Sequence, residues 1–186
     1  MDSKNFNLNS DNEFYSNPKK IQFLKDIVKD AYIQYIKLNS FCVFKSIDEI
    51  YYLIYTTKYI SIIFYNLINN KKISEIKYAH PKFITSFRHY FDDINKRDLI
   101  ISISLENHLI KLWNVKNLEC LLIINKINEG GVLLSACFLN DNKNIFIITS
   151  NQKVHNVGPI KFYDLKGNIV KKLDDYKINT YYIDTY

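Results

Sequence analysis

The chain has few of the residues that mark special architectures. Four glycines and three prolines in 186 residues exclude a collagen-like repeat and low-complexity linkers. Three cysteines, Cys42, Cys120 and Cys137, are too few and too scattered for a disulfide scaffold or a zinc cluster. Arginine occurs only at Arg88 and Arg97, whereas single-strand nucleic-acid sites interleave cationic and aromatic side chains on one face. No block of five or six like charges occurs. The signatures G-x-x-x-x-G-K-[ST], G-x-G-x-x-G and G-x-S-x-G are absent, and Gly130-Gly131 reads as a turn before a strand rather than a phosphate cradle. Met1 to Asn17 is polar and lacks the apolar core of a signal peptide.

What is present is apolar and aromatic. Hydrophobic residues make up 47% and aromatics 15%, which excludes a disordered chain. Isoleucine (29), lysine (23), asparagine (22) and tyrosine (15) form nearly half of the sequence. Their codons are rich in A and T, so nucleotide bias is the simplest source of the net charge of +6. The charge is also spread evenly. The first 93 residues carry 13 cations against 10 anions, and the second 93 carry 12 against 9. The longest membrane-like stretch, Ile50 to Ile68, contains Lys58 and five tyrosines. A central lysine costs about 2.5–3.5 kcal/mol on insertion. The stretch therefore reads as two strands joined by a turn at Thr57–Tyr59, with no membrane insertion. Free cysteines without a leader place the chain in the cytoplasm, with the nucleus also open.

Periodicity divides the chain. Residues 1–17 read as a polar arm. Pro18 opens a short amphipathic helix carrying Ile21, Leu24, Ile27 and Ala31, and a leading strand follows at 32–37. Beyond residue 39 come short runs of Ile, Tyr, Phe and Val separated by turn residues, which is the pattern of an antiparallel all-β fold. Three of these runs align without gaps: Ile62 to Leu67, Ile110 to Val115 and Ile160 to Leu165. Each reads apolar, variable, apolar, Tyr/Trp, Asn/Asp, apolar. Thr56 and Ser104 precede the first two aromatics by nine residues, and Thr149 precedes the third by fourteen. Units of about 49 residues follow, at 39–79, 80–128 and 129–178, with the start of a fourth at 179–186. In each unit the aromatic (Tyr65, Trp113, Tyr163) would fill the gap between sheets, and the next residue (Asn66, Asn114, Asp164) would bond local backbone amides.

These residues resemble a WD40-repeat β-propeller. Trp113-Asn114 stands where that family has Trp-Asp, Ala79-His80 resembles its Gly-His, and Leu99 to Ser104 resembles its second strand. The resemblance implies a structural network of His80, Ser104 (or Ser102), Asn107 (or Glu106) and Trp113. It implies a partial propeller of about three four-stranded blades with a short N-terminal helix. It also implies a non-enzymatic scaffold or protein–protein interaction module, without cofactor, metal or catalytic residues. A protein or peptide would bind rim positions at the start of the first strand, Phe83 and Thr85 in one unit and Val132 and Leu134 in the next. Three units are fewer than propellers usually hold. The expectation is a truncated member of a longer family, with open apolar side faces covered by self-association or a partner. The alternative is a basic module for nucleic acid or an anionic surface. Of the other polar groups, His89 with Asp92 and Asp93 reads as a solvated turn, Cys137 as core, and His108 and His155 as turn residues of different units.

Overall fold

A computed structural model describes residues 41–57, 60–125, 132–141, 143–153 and 156–173. The helix expected after Pro18 and the strands expected at 32–37 and 181–186 lie outside the described residues. Those described all belong to one compact unit, Leu38–Tyr186. Thirteen strands run in chain order among the described residues. They are β1 (Phe41–Lys45), β2 (Tyr51–Thr57), β3 (Ser61–Asn66), β4 (Lys71–Ile76), β5 (Ser86–Asp92), β6 (Arg97–Ser104), β7 (Leu109–Asn114), β8 (Cys120–Ile124), β9 (Val132–Asn140), β10 (Ile145–Lys153), β11 (Asn156–Val157), β12 (Ile160–Tyr163) and β13 (Ile169–Leu173).

They form three antiparallel sheets. The first has the order β1-β2-β3-β4 and the second β5-β6-β7-β8. The third runs β9-β10-β12-β13, with the two-residue β11 added beside the end of β10. The long turn expected at Asn151–Pro159 thus carries a short ribbon. Sequential meander pairing follows from turns too short for a crossover. The membrane-like stretch is a hairpin in which Thr57 pairs with Ser61. No helix among the described residues is long and apolar enough to cross a membrane.

Strand alternation builds the core. In the middle sheet, Leu99, Ile101 and Ile103 of β6 join Ile110 and Leu112 of β7 on one face. They pack against Leu133, Ala136, Phe138, Ile145, Ile147 and Tyr163 of the third sheet. Ile100 and Trp113 take the other face, with Phe87, and meet Phe44, Ile54, Ile62 and Phe64 of the first sheet. Successive residues on a strand point to opposite faces, so one sequence run feeds two seams. Trp113 and Tyr163 each face the sheet that precedes their own. The side faces of the two end sheets are not bare along their inner strands. Leu53 and Ile63 on one, and Cys137 and Ile148 on the other, are buried, whereas Phe41 and Val43 on β1, the latter opposite Leu53, are 44% and 49% exposed.

The turn residues act as expected of their chemistry. Asn66 Oδ1 accepts from the amides of Ile68 and Asn69 at 2.8 and 3.0 Å. Asn114 Oδ1 accepts from Lys116, and Asp164 Oδ1 from Lys166 and Asn168. At Gly167, φ is +87° and an added Cβ would lie 2.7 Å from Leu122 Cδ1. This turn of the third sheet therefore approaches β8 of the second too closely for a side chain.

Candidate functional site

The connection from β4 to β5, residues 77–85, is tied down near both ends, at Tyr78, Ala79 and His80 and again at Thr85. Tyr78 donates its amide to Ser61 Oγ at 3.3 Å, and His80 donates its amide to the Ile60 carbonyl at 3.1 Å. Both bonds go to the first sheet. From the second sheet, Lys111 Nζ donates to the Ala79 carbonyl at 2.6 Å. Thr85 donates its amide and its hydroxyl to the Ile103 carbonyl, at 2.7 and 3.0 Å. The connection is a strap across one seam, and its side chains hold the two sheets in register.

His80 is the centre of the strap and only 1% exposed. Its Nε2 lies 2.7 Å from Ser102 Oγ, and Trp113 Nε1 donates to the same oxygen at 2.7 Å. An indole N–H can only donate, so the Ser102 oxygen accepts from Trp113 while sharing its second bond with His80 Nε2. His80 Nδ1 is buried and has no hydrogen-bond partner among the described residues. The Lys111 ammonium lies 5.6 Å from the Trp113 ring centroid and acts electrostatically on His80. Burial, reinforced by that cation, lowers the His80 pKa from 6.5 to about 3.

This has a signed consequence for acid stability. Because the folded value lies below the unfolded one, the unfolded state binds the extra proton between them. The neutral imidazole supports folding fully above pH 6.5, and that support is lost as pH falls toward 3, by about 1.4 kcal/mol per pH unit. His89 is shifted in the same direction, by burial that outweighs its Asp98 partner. Urea midpoints measured from pH 7 to about pH 5.5, where ordinary carboxylates are still largely ionised, are expected to fall for the wild type. In His80→Gln the fall should be smaller, and an unchanged slope would contradict the assignment.

Other expected members are placed differently. Ser104 donates to Asn107 Oδ1 within the β6–β7 turn, so it is Ser102, not Ser104, that stands between His80 and Trp113. The ladders explain the offset. Ser102 pairs with Lys111, Thr149 with Lys161 and Tyr55 with Ile63. Those three occupy one row, whereas counting back from the aromatic led to Ser104, Thr149 and Thr56. The β6–β7 turn is one residue longer than β2–β3, which breaks the count. Thr85 is buried and bonded to Ile103, so its side chain is withdrawn from the rim. Leu134 is half-buried while its neighbour Leu133 is fully buried. Val132 lies in β9 opposite Gln152. Phe83 is 44% exposed, and Tyr78, with φ of 52°, is 78% exposed. Positive φ is uncommon for a bulky residue, and here it turns the phenol off the end of β4 into solvent. Tyr78 escaped the sequence reading, because one more tyrosine in a chain with fifteen carries no distinguishing signal.

Asp98 also escaped it. It is buried at the start of β6, where Oδ1 lies 2.7 Å from His89 Nε2 and Oδ2 accepts from the Ile47 amide at 3.0 Å. The His89 ring stacks on Phe44 with centroids 3.8 Å apart. His89 is thus an inter-sheet tie, not part of a solvated turn with Asp92 and Asp93. Asp92 instead binds Asn95 and Arg97. His108 accepts the Leu133 amide on Nδ1 at 3.1 Å, bridging the second and third sheets. Burial raises the Cys42 thiol to about 11 and shifts Cys120 upward as well, which removes both from nucleophilic chemistry near neutral pH. Among the described residues, no group of three or more His, Cys, Asp or Glu could hold a metal ion.

No protein-family model matches the chain, and no curated protein matches it in sequence. Solved structures do match in shape. One described as the structure of U3-55K superposes with a TM-score of 0.54 at 13% identity, covering 78% of this chain and 42% of that one. The RRP9 WD40 repeats give 0.54 at 14% identity, covering 78% and 41%. Dihydro-heme d1 dehydrogenase NirN in complex with DHE gives 0.54 at 14%, covering 76% and 29%. The chain spans about two fifths of the length of the first two. At such identities the likeness concerns the fold, which is that of WD40-repeat β-propeller proteins. The third match is an enzyme by its description, so the fold does not decide activity.

Proposed function

We propose that the chain is a non-enzymatic interaction module that holds a protein or peptide on the rim carried by the 77–85 strap. The observation that carries this reading is the contrast along the strap. Its backbone is bonded to both neighbouring sheets, while Tyr78 is 78% and Phe83 44% exposed. Aromatic side chains on a rigid base lose little entropy on binding, and they are favoured as binding anchors. The Lys82–Glu106 ion pair at 3.1 Å lies beside Phe83 and would form a polar margin; as an exposed pair it adds little stability.

Two further features agree with this reading. Cys42, Cys120 and Cys137 are all free thiols, which suits a reducing compartment such as the cytoplasm or nucleus. Both arginines turn inward, Arg88 to the Phe87 carbonyl and Arg97 to Asp92, so neither presents its guanidinium to a phosphate. That weighs against the nucleic-acid alternative.

The test is affinity capture with the full chain, comparing wild type, a Tyr78→Ser/Phe83→Ala double variant and an Ile94→Ser control. Ile94 is exposed on the β5–β6 turn. Partner recovery is expected to fall at least about tenfold in the double variant, as for the loss of one anchor, and to be unchanged in the control. Full recovery by the double variant would overturn the rim assignment.

A further inference from the structure

The three outer strands are chemically unequal. Among the described residues, the sheet orders leave β4, β8 and β13 as the outer edges. An edge strand offers unpaired N–H and C=O groups to any other strand, and lysine is a common means of blunting it. β4 carries Lys71 and Lys72, and β13 carries Lys171 and Lys172. β8 reads Cys120-Leu121-Leu122-Ile123-Ile124 and carries no charge at all. Ile123 is 50% exposed, and Cys120, Leu121 and Leu122 are half-buried. Its composition is that of a strand prone to pair: apolar, without proline or glycine.

We infer that β8 is a self-pairing edge, at which two copies of this chain join through antiparallel β8 strands. The occupant is argued from β8 itself. In a twofold pairing centred on Leu122, Cys120 lies opposite Ile124 of the second copy and Leu121 opposite Ile123. Glu119 falls opposite Asn125, so no like charges are opposed along the whole run. The same five residues supply both the edge and the strand that completes it. The joined object is a continuous eight-stranded sheet, β5-β6-β7-β8 from each copy. This contact is edge to edge. It adds no blade to the propeller and leaves the Tyr78–Phe83 rim free, so it is independent of the proposed rim function.

Five residues per copy is far below a standard interface, so a weak dimer is expected, with Kd on the order of 100 µM. Sedimentation of the full chain over a wide concentration range should show a monomer–dimer equilibrium. Ile123→Lys would put a charge into the seam and should weaken association at least about tenfold. Ile73→Lys, at a similarly exposed position of β4, should leave it unchanged. Hydrogen exchange supplies a second readout that needs no variant. Protection of the 120–124 amides should rise with protein concentration, while that of 71–76 should not. A chain monomeric at every concentration overturns the inference. So does a dimer indifferent to Ile123→Lys, or one equally sensitive to Ile73→Lys.

Discussion

Trp113→Ala is expected to destabilise the chain by about 3–5 kcal/mol, the range for truncating a large buried aromatic. Two losses add up. The indole fills the seam between the first two sheets alongside Phe64, Phe87 and Ile100, and nothing else there has its volume. Its Nε1–H is also one of the two groups that fix the Ser102 hydroxyl. Trp113→Phe separates them, because it keeps most of the ring area and removes the N–H. Its expected cost is about 1–3 kcal/mol, that of a buried polar group losing its partner. Urea unfolding followed by circular dichroism measures both, since the variants lack the only tryptophan. A cost below about 1 kcal/mol for Trp113→Ala would mean that the seam does not exist as described.

Asp98→Ala is the second large effect, with an expected cost of about 3–5 kcal/mol. Hydrogen bonds to a charged acceptor contribute about 1.5–3 kcal/mol each, and Asp98 accepts two of them, from the Ile47 amide and from His89. Its backbone carbonyl bond from Val115 survives the substitution, so the damage is confined to the carboxylate. Asp98→Asn retains an acceptor for Ile47 and should cost about half as much. His89 gives the variant a signature of its own. Burial lowers its pKa and the Asp98 carboxylate raises it, so removing the carboxylate must lower it further. An imidazole titration followed by NMR should show that direction. A His89 pKa that rises toward 6.5 in Asp98→Ala, with little loss of stability, would show that the pair is not formed.

Much of the fold could be read from local pattern. The alternation in Leu99 to Ser104 needs only the twofold period of a strand, and the repeated apolar-aromatic-Asn/Asp runs mark the third strand of each sheet. Lys58 and the tyrosines of Ile50–Ile68 were enough to tell a hairpin from a membrane span. The misses share one cause, which is that they depend on neighbours distant in the chain. Ser102 and Ser104 look alike in sequence; only the ladder to β7, with its longer turn, says which one faces His80. Asp98 looks like a polar residue at the start of a strand, and its carboxylate is met by the Ile47 amide, 51 residues away in the chain. Thr85 comes just before β5, where a rim position is the natural reading, yet its hydroxyl turns inward to the carbonyl of Ile103. Lys161 occupies the variable place in its run, where solvent is expected, and it is fully buried. β11 exists only because β10 is long enough to be met by the returning chain.

The central claim is that sheets one and two are stacked blades joined through His80, Ser102 and Trp113. The sole tryptophan makes it directly measurable, because its indole N–H gives a single, unambiguous NMR resonance. Exchange of that proton with solvent should be strongly slowed in the wild type, remain slow in Ser104→Ala, and accelerate in Ser102→Ala and in His80→Ala. Exchange at the rate of an exposed indole, or acceleration by Ser104→Ala in place of Ser102→Ala, would contradict it.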